Sequence, residues 1–288
     1  MTYRELYMYA RNALCAAESQ QEAGLAARDL ICTFSGMTAE QMLANLELSA
    51  PEQLTAMVKD GVSRMEREEP LAYVVGEWDF YGLKFYVNPS VLIPRDDTCA
   101  VTELAINRCL FMEKDPRILD LCCGSGCIGI AVASRVKDAR VTLADISGEA
   151  LAVAKKNIAR NKMGGRMSIF QADARKKAPE FLGKFDMIVS NPPYITAEEM
   201  THLPVSVADY EPHLALYGGE DGLDFYRSIL ENYTAALKPG GCLCFEFGMN
   251  MGDAVCALLA EKGYTIVERK QDYNGRERAV LAQYGEKG

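Results

Sequence analysis

The sequence predicts an α/β protein in which a doubly wound, mostly parallel sheet follows a small N-terminal helical domain and a β-hairpin linker. Three patterns lead to this prediction: helical periodicity near the N-terminus, an aromatic hairpin pattern after it, and strand–helix alternation in the remainder. The predicted domains are residues 1–76, residues 77–98 and residues 99–288.

The first 76 residues carry the periodicity of amphipathic helices. Apolar residues between positions 23 and 31 recur so that they share one helical face. Residues 38–41 have the sequence of a capping box, which begins a helix. A further helix is expected after residues 49–52, and its buried face is predicted to comprise Leu54, Met57, Val58, Val62 and Met65.

The next segment is rich in aromatic and β-branched residues. Residues 78–87 have the composition of two short strands, and Gly82 between them is a turn residue. A β-hairpin is therefore expected, and it should end at Asn88-Pro89. Residues 91–95 follow as the hinge between the two domains.

From about residue 99 onward, short apolar runs alternate with helical stretches. Runs that suit strands buried on both faces occur at residues 117–122, 141–145, 167–172, 185–191 and 242–247. Residues 127–136 and 147–160 predict helices between them. Residues 264–269 and 278–283 predict a closing antiparallel hairpin. This alternation is typical of a parallel, doubly wound sheet.

Composition excludes several classes of protein. A net charge of −9 and a pI near 5.0 argue against binding to nucleic acid, which usually requires a basic face. No apolar stretch approaches the roughly 20 residues that span a membrane. The N-terminus lacks the pattern of a signal peptide, so a cytoplasmic protein is expected. The ten cysteines and two histidines show no spacing typical of a metal site, and no metal is predicted.

A glycine-rich loop follows the first predicted strand of the sheet. Gly124, Gly126 and Gly129 lie where that strand gives way to a helix, which permits a tight turn and the close approach of a ligand. Asp145 ends the next strand, 21 residues after Gly124, where a carboxylate can accept hydrogen bonds from ribose hydroxyls. This pattern fits NAD as well as S-adenosylmethionine.

Two further acidic residues favour the sulfonium cofactor. Asp120, at the end of the first strand, can orient the loop and offset the positive charge of the cofactor. Asp173 follows the third strand and is placed to meet the adenine amino group. The predicted cofactor-binding residues are therefore Cys122, Cys123, Gly124, Ser125, Gly126, Asp145, Asp173, Ala174 and Asn191.

Asn191-Pro192-Pro193-Tyr194 follows a strand whose carboxyl end should face the cofactor. Consecutive prolines fix the backbone and leave carbonyl groups as acceptors. The Asn191 side-chain oxygen and the Pro192 carbonyl can each accept one N–H of a planar NH₂ group, which aims its lone pair at a methyl carbon. Tyr194 can pack on that flat group. Catalysis is assigned to Asn191, Pro192 and Tyr194, and substrate binding to these residues and Pro193.

The whole chain resembles the release-factor glutamine methyltransferase family (PrmC/HemK). The resemblance is carried by Asn191–Tyr194 and the glycine loop, and most specifically by the hairpin and linker motifs at residues 70–73, 76–77, 80–83, 87–89 and 91–95. Further matching motifs occur at residues 210–212, 218–219, 221–223, 226–227, 238–241 and 246–248, and at Asp272, Gly275 and Arg278. The stretch Arg95-Asp96-Asp97-Thr98-Cys99 departs from the Arg-Pro-(Asp or Glu)-Thr-Glu usual in the family.

This resemblance implies a Rossmann-like class I methyltransferase fold and a cytoplasmic, monomeric enzyme. The implied reaction moves a methyl group from S-adenosylmethionine to the side-chain amide nitrogen, N5, of the glutamine in the Gly-Gly-Gln motif of peptide chain release factors. Release factors are thus the expected partners, and the N-terminal helices are expected to dock them.

Three other functions compete with this interpretation. An adenine-N6 methyltransferase shares the catalytic tetrapeptide but needs a basic cleft for a flipped base. An NAD-dependent oxidoreductase fits the glycine loop but leaves the tetrapeptide without a role. A non-enzymatic docking protein has no reason to retain Gly124, Gly126 and Asp145 together with the tetrapeptide.

Overall fold

The computed structural model describes residues 1–15, 19–112 and 115–285. The chain forms two compact units. One comprises Met1–Glu77 together with Pro204–Tyr210, and the other comprises Trp78–Leu203 together with Glu211–Gly288. No pattern in the sequence predicted that residues 204–210 would belong to the helical unit.

The helical unit contains five helices before the hairpin, and three of them begin with the reciprocal hydrogen bonds of a capping box. One of these is the predicted box, in which Thr38 and Gln41 cap each other. The bounds of the helices are α1 Tyr3–Leu14, α2 Gln20–Ser35, α3 Ala39–Ala44, α4 Glu52–Met65 and α5 Leu71–Val75. The predicted apolar face of α2 is buried throughout.

The predicted buried face of α4 is correct except at Met57, which is 39% exposed. The buried residues of α4 form a stripe about 100° wide that runs from Gly61 to Val62. Met57 lies roughly 40° outside the Gly61 edge of that stripe. Helix α2 approaches at this edge, since a Cβ on Gly61 would lie 2.9 Å from Leu30 Cδ2. Met57 is therefore just beyond the buried stripe, at a position that periodicity alone does not separate from it.

The predicted hairpin is confirmed as β1 (Glu77–Phe80) and β2 (Leu83–Tyr86). Tyr81 and Gly82 in the turn both have positive φ, at 52° and 76°. Two consecutive residues of positive φ are typical of a type I′ turn, whose twist matches that of the flanking strands.

The second unit is built on a seven-stranded sheet of order β5-β4-β3-β6-β7-β9-β8. All neighbouring strands are parallel except at β9, which is antiparallel to both β7 and β8. The bounds are β3 Arg117–Leu121, β4 Arg140–Asp145, β5 Met167–Gln171, β6 Phe185–Ser190, β7 Leu237–Glu246, β8 Tyr264–Gln271 and β9 Glu277–Tyr284. The predicted doubly wound, mostly parallel sheet and its closing hairpin are thus confirmed.

Helices flank the sheet, and two short ones follow the tetrapeptide segment. Their bounds are α6 Cys99–Leu110, α7 Cys127–Arg135, α8 Gly148–Arg160, α9 Ala197–Met200, α10 Val205–Ala208, α11 Asp224–Tyr233 and α12 Gly252–Glu261. The chain leaves β3 toward β4 on one side and later returns as β6 on the other. Ligands of doubly wound sheets bind at such a switch point, outside the carboxyl ends of the strands.

Helix α7 packs very closely on β3 and β4. A Cβ added to Gly129 would lie 2.9 Å from Asp120 Oδ2 and 3.0 Å from Val141 Cγ1, and would overlap the Leu143 side chain. Real Cβ atoms do not approach other atoms this closely when buried in a packed core. Gly129 is therefore required by packing, in addition to any part it has in the loop.

We expect Gly129→Ala to lower the free energy of unfolding by roughly 1–3 kcal/mol, the usual cost of overpacking a core. Gly148→Ala is the matched control, since its added Cβ would meet only Gln171 Nε2 at 3.9 Å. Urea denaturation of the two variants and the wild type measures the difference. Equal stability of the two variants would contradict the packing described for α7.

Candidate active site

The carboxyl ends of β3, β4, β5 and β6 surround an open cavity. Its wall contains eight of the nine predicted cofactor-binding residues: Cys122, Cys123, Gly124, Ser125, Asp145, Asp173, Ala174 and Asn191. The ninth, Gly126, does not line the cavity but is the N-cap residue of α7, with φ at 79°. A Cβ there would lie 2.7 Å from Leu143 Cδ1, so this turn requires glycine both for its positive φ and for lack of space.

The glycine loop is held in an unusual backbone conformation. Cys122 and Gly124 both have positive φ, at 60° and 51°, and Cys122 is strained because non-glycine residues seldom adopt that region. Asp145 stabilises the turn from the next strand, since its Oδ2 accepts the Gly124 N–H at 2.9 Å. The loop is therefore fixed before any ligand arrives.

Asp120 holds the other end of the loop. Its Oδ2 accepts the Gly129 N–H at 2.8 Å, while Oδ1 has no hydrogen-bond partner among the residues that the structure describes. Asp120 is fully buried and does not line the cavity. Burial raises the pKa of this carboxyl to about 7, although the bond from Gly129 opposes the rise. The predicted part of Asp120 in orienting the loop agrees with this contact.

Asn157 of α8 joins the glycine loop to the hairpin. Its side-chain oxygen accepts the Tyr86 N–H at 2.7 Å, and its amide group donates to the carbonyls of Tyr86 and Ser125 at 3.0 and 2.9 Å. Asn157 is completely buried. A polar residue in the middle of a helix gave no sequence signal for this function, because its partners lie 71 and 32 residues away.

The polar groups in the cavity suit an adenosine-like ligand. Asp145 faces the cavity, and its Oδ1 accepts the Ser147 N–H at 2.9 Å. Burial raises the pKa of Asp145, while three backbone N–H groups counter the rise. The Ser125 hydroxyl is buried in the cavity wall without a partner among the described residues. A carboxylate and an unpaired hydroxyl in the wall of one cavity can bind the hydroxyl groups of a sugar.

The cavity wall that contains Asp173 and Ala174 also contains an aromatic side chain. This is Phe225 of α11, and the Arg175 guanidinium lies 5.7 Å from the centre of its ring. Asp173 holds Arg175 through the Arg175 N–H at 2.9 Å and Nε at 3.1 Å. The sequence analysis did not identify Phe225, which comes from a helix more than 50 residues beyond Asp173.

The tetrapeptide lies between two cavities. Asn191 and Pro193 line the first cavity, Pro192 is buried and lines neither, and Tyr194 lines a second, more open cavity. The second cavity is also bordered by Arg95, Asp96, Asp97, Ile195, Glu199, Gly248, Met249, Met251 and Arg278. Burial raises the pKa of the Tyr194 hydroxyl far above its usual value, so it stays protonated.

The backbone after the tetrapeptide is braced by a second stretch of main chain. The Ile195 N–H donates to the Leu216 carbonyl and the Gly218 N–H to the Ile195 carbonyl, both at 2.9 Å. A Cβ at Gly218 would lie 2.5 Å from Tyr194 Cα, and one at Gly222 would overlap the Tyr194 carbonyl. Only glycine permits this approach, which fixes the position of the tetrapeptide.

The hydrogen bonds of the tetrapeptide leave its acceptors available. Asn191 Nδ2 points to Thr98 Oγ1 at 3.5 Å, so the side-chain oxygen of Asn191 points away from Thr98. The Pro192 carbonyl accepts no hydrogen bond within the described residues. The unfilled oxygen of Asn191 borders the first cavity, whereas Pro192 is buried next to it, so the Asn191 oxygen is the acceptor that the cavity presents to an NH₂ group.

Two family models match the chain. The model described as the PrmC N-terminal domain matches residues 5–76, and the one described as the methyltransferase small domain matches residues 100–207. The release factor glutamine methyltransferase of Geobacter sulfurreducens is 35% identical over 285 residues, which cover 99% of this chain and 97% of that protein. The chain belongs to this family. It is a methyltransferase.

Other members of the release factor glutamine methyltransferase family give the same result. The protein of that name from Clostridium acetobutylicum is 37% identical over 244 residues and covers 85% of each chain. A solved methyltransferase from Pyrococcus furiosus superposes with a TM-score of 0.53 at 17% identity, covering 79% of this chain and 100% of the other. That likeness shows the fold alone, a Rossmann-like methyltransferase sheet, as expected for this family.

The linker supplies residues that the sequence analysis did not assign to the site. Val91, Leu92, Pro94 and Thr98 line the first cavity. Arg95 forms an ion pair with Glu211, whose buried carboxylate also accepts the Ile93 N–H at 3.2 Å. The match of residues 91–95 to the family motif was the sequence signal that could have placed the linker in the site.

Three cysteines around the cavity are held in the thiol form. Burial raises the pKa of Cys122, Cys123 and Cys127 far above the usual value for a thiol, so they remain protonated. No group of three or more His, Cys, Asp or Glu side chains that could hold a metal occurs in the part of the chain that the structure describes. Within residues 1–15, 19–112 and 115–285, no helix is long and apolar enough to cross a bilayer.

The raised pKa of Asp120 has a consequence for stability. Because the folded state disfavours the charged form, the wild-type protein loses stability as the pH rises from about 4, the usual aspartate pKa, to about 7. Asp120→Asn keeps an acceptor for the Gly129 N–H and has no charge to bury. We therefore expect the unfolding free energy of the variant, relative to wild type, to increase between about pH 5 and about pH 7 by up to roughly 1.4 kcal/mol per unit.

Chemical denaturation across this pH range, without added ligand, measures the effect. Asp138→Asn, at an exposed turn, is the matched control and should show no such trend. If the difference in unfolding free energy between Asp120→Asn and the wild type does not change with pH, the pKa of Asp120 is not raised in the folded protein.

Proposed function

We propose that this methyltransferase transfers a methyl group from S-adenosylmethionine to the side-chain amide nitrogen, N5, of the glutamine in the Gly-Gly-Gln motif of peptide chain release factors. The observation that carries the proposal is the position of Asn191, which lines the glycine-loop cavity and keeps its side-chain oxygen free. The names of the related proteins support the choice of substrate.

The residues of the first cavity fit the cofactor. Asp145 and Ser125 would hold the ribose hydroxyls, and the backbone of the loop at Gly124, to which a Cβ could be added without meeting any atom within 4 Å, leaves room for close approach. Asp173, Ala174 and Phe225 would surround the adenine. When bound, the cofactor supplies an electrophilic methyl group on a positively charged sulfur.

The chain contributes position and electrostatics to the reaction. An amide nitrogen is a weak nucleophile, because its lone pair is delocalised into the carbonyl. The side-chain oxygen of Asn191 and the Pro192 carbonyl would each accept one of its hydrogens, which turns the lone pair toward the methyl carbon. These acceptors would stabilise the positive charge that grows on nitrogen as the methyl carbon exchanges its bond to sulfur for a bond to nitrogen, and the nitrogen would then lose one proton to water.

We place the reaction in the cytoplasm, where release factors act on ribosomes. In this proposal the protein works as a monomer, its substrate is a protein and not a nucleic acid, and the net charge of −9 agrees with that choice. The helical unit, which contains none of the cavity residues, would dock the release factor.

Mass spectrometry of a purified release factor after incubation with the protein and S-adenosylmethionine tests the function. We expect a gain of one methyl group on the glutamine of Gly-Gly-Gln, and none when that glutamine is replaced by asparagine. Methylation at another residue, or of an adenine in DNA or RNA offered in parallel, would replace this proposal.

We expect Asn191→Ala to lower turnover by roughly 10²- to 10³-fold, as loss of one preorganised acceptor does elsewhere. Binding of S-adenosylhomocysteine, measured by calorimetry, should stay close to wild type. Asn161→Ala, at the end of α8 and outside both cavities, is the matched control and should keep full turnover. Wild-type turnover of Asn191→Ala would exclude the role given to this side chain.

We expect Phe225→Ala to weaken S-adenosylhomocysteine binding roughly 2- to 10-fold, since aromatic stacking is worth about 0.5–1.5 kcal/mol. Phe111→Ala removes an aromatic that is 87% exposed and outside the cavity, and it should bind normally. Calorimetric titration compares the two. If both variants bind as tightly as the wild type, Phe225 does not contact the adenine.

A further inference from the structure

The second cavity has no role in the reaction described above, although the tetrapeptide forms part of its wall. Pro193 lines the first cavity, and the next residue, Tyr194, lines the second. The linker divides in the same way, since Pro94 lines the first cavity and Arg95 the second. Consecutive Cα atoms are about 3.8 Å apart. The two cavities are therefore adjacent, and the tetrapeptide and the linker form a wall that they share.

Arg95 is fixed at the second cavity by a buried carboxyl group. Its Nη2 donates to Oε1 of Glu211, and Oε2 of Glu211 accepts the Ile93 N–H at 3.2 Å. The Glu211 side chain is 1% exposed, whereas that of Arg95 is 41% exposed. One end of the pair is thus held in the interior, and the guanidinium extends from it to the cavity.

The guanidinium of Arg95 retains hydrogen-bond donors. A guanidinium has five N–H bonds in a fixed fork, and within the described residues the Arg95 side chain uses them only on Glu211. Arg278 is the other cation of this cavity, but its side chain is 11% exposed and already bound to Asp97 at 2.8 Å and Asp272 at 3.2 Å. Of the two cations, Arg95 is therefore the one with N–H groups to offer to a ligand.

The charges of the cavity wall select against an anionic ligand. Besides the two arginines, the wall contains three acidic side chains, Asp96, Asp97 and Glu199. A phosphate or carboxylate bound to Arg95 would face these acids in the same cavity, whereas a neutral carbonyl oxygen would not be repelled by them. The ligand that suits this donor is thus a neutral acceptor, and peptide carbonyls are such acceptors in every protein substrate.

We propose that Arg95, held by Glu211, donates hydrogen bonds to main-chain carbonyls of the substrate beside the glutamine. This inference rests on the proposed function, because a glutamine side chain bound at Asn191 brings the neighbouring main chain to the wall that both cavities share. Glycine on that main chain has no side chain to shield its carbonyl from a guanidinium. The enzyme thus recognises two properties together, the amide of glutamine and the bare main chain beside it.

Substitution of Arg95 separates substrate binding from cofactor binding. Arg95→Met keeps the apolar stem and removes the donors, and the Glu211 carboxyl, left without its cation, can take up a proton. We expect the KM for the release factor to rise roughly 10-fold, as on loss of a hydrogen bond to a charged group. The value of kcat should stay within about 3-fold, because binding lost equally from ground state and transition state changes only KM. Binding of S-adenosylhomocysteine should stay close to wild type.

Glu211→Gln tests whether Glu211 acts through Arg95. A glutamine that accepts the Ile93 N–H turns its NH₂ group toward Arg95, so the guanidinium loses its anchor, and we expect the KM for the release factor to rise roughly 3-fold. The double variant Arg95→Met/Glu211→Gln should have the same KM as Arg95→Met alone, because interacting residues are not additive.

Arg269→Met is the matched control. It removes a guanidinium that is 32% exposed and paired with Asp253 and Glu277, outside both cavities, and it should keep the wild-type KM. A wild-type KM in Arg95→Met would overturn the proposal. So would additive effects in the double variant, or a loss of S-adenosylhomocysteine binding as large as the rise in KM, since either would indicate a general disturbance of the site.

A change of the acceptor on the substrate gives an independent test. In synthetic peptides that contain Gly-Gly-Gln, each amide beside the glutamine is replaced in turn by an ester, whose carbonyl is a weaker acceptor. We expect one of these esters to lower kcat/KM for the wild type and Arg269→Met, and to do so less for Arg95→Met, in which the partner of that carbonyl is gone. If every ester lowers kcat/KM by the same factor in all three enzymes, no main-chain carbonyl bonds to Arg95.

Failure of this inference and failure of the proposed function give different results. Methylation of the Gly-Gly-Gln glutamine by Arg95→Met with a normal KM would remove the role of Arg95 and leave the proposed function intact. If the wild type binds the Gly-Gly-Gln peptide more tightly than Arg95→Met does, but methylates neither the peptide nor the release factor, the proposed function fails and the donor role of Arg95 stands.

Discussion

The contact between two stretches of main chain, the tetrapeptide and residues 216–222, is the constraint on which the site depends. Proline alone can stiffen a corner, but it cannot decide where the corner lies. The hydrogen bonds between Ile195 and its neighbours at Leu216 and Gly218 do so, and glycines at 218 and 222 make the approach sterically possible. Asn191 lines the cavity because residues 216–222 hold the backbone that follows it in a fixed position.

Much of the fold could be predicted from the sequence because its pattern is local. Strands β3, β4 and β6, each largely buried, read as continuous apolar runs, and capping boxes marked helix starts at single positions. The error at Met57 shows the limit of this reasoning. Periodicity defines the apolar stripe of α4, but Met57 lies roughly 40° beyond its edge at Gly61, and the packing partner at that edge is not visible in the sequence.

The site was predictable where one short motif carries its chemistry. The glycine loop, Asp145 and the tetrapeptide all lie directly after strands, and the topology of a parallel sheet brings such positions to one edge. Phe225, Asn157 and Thr98 escaped prediction because each contacts a partner distant in sequence.

The excursion of residues 204–210 makes the helical unit discontinuous in the chain. The Tyr210 hydroxyl donates to the Arg67 carbonyl at 2.6 Å, so this segment is anchored among the helices while both its ends run back to the sheet. One protease cut after the hairpin would not release the helical unit intact. Recombination with another methyltransferase would likewise have to exchange two separate pieces of sequence together, and the two units should therefore be inherited as one.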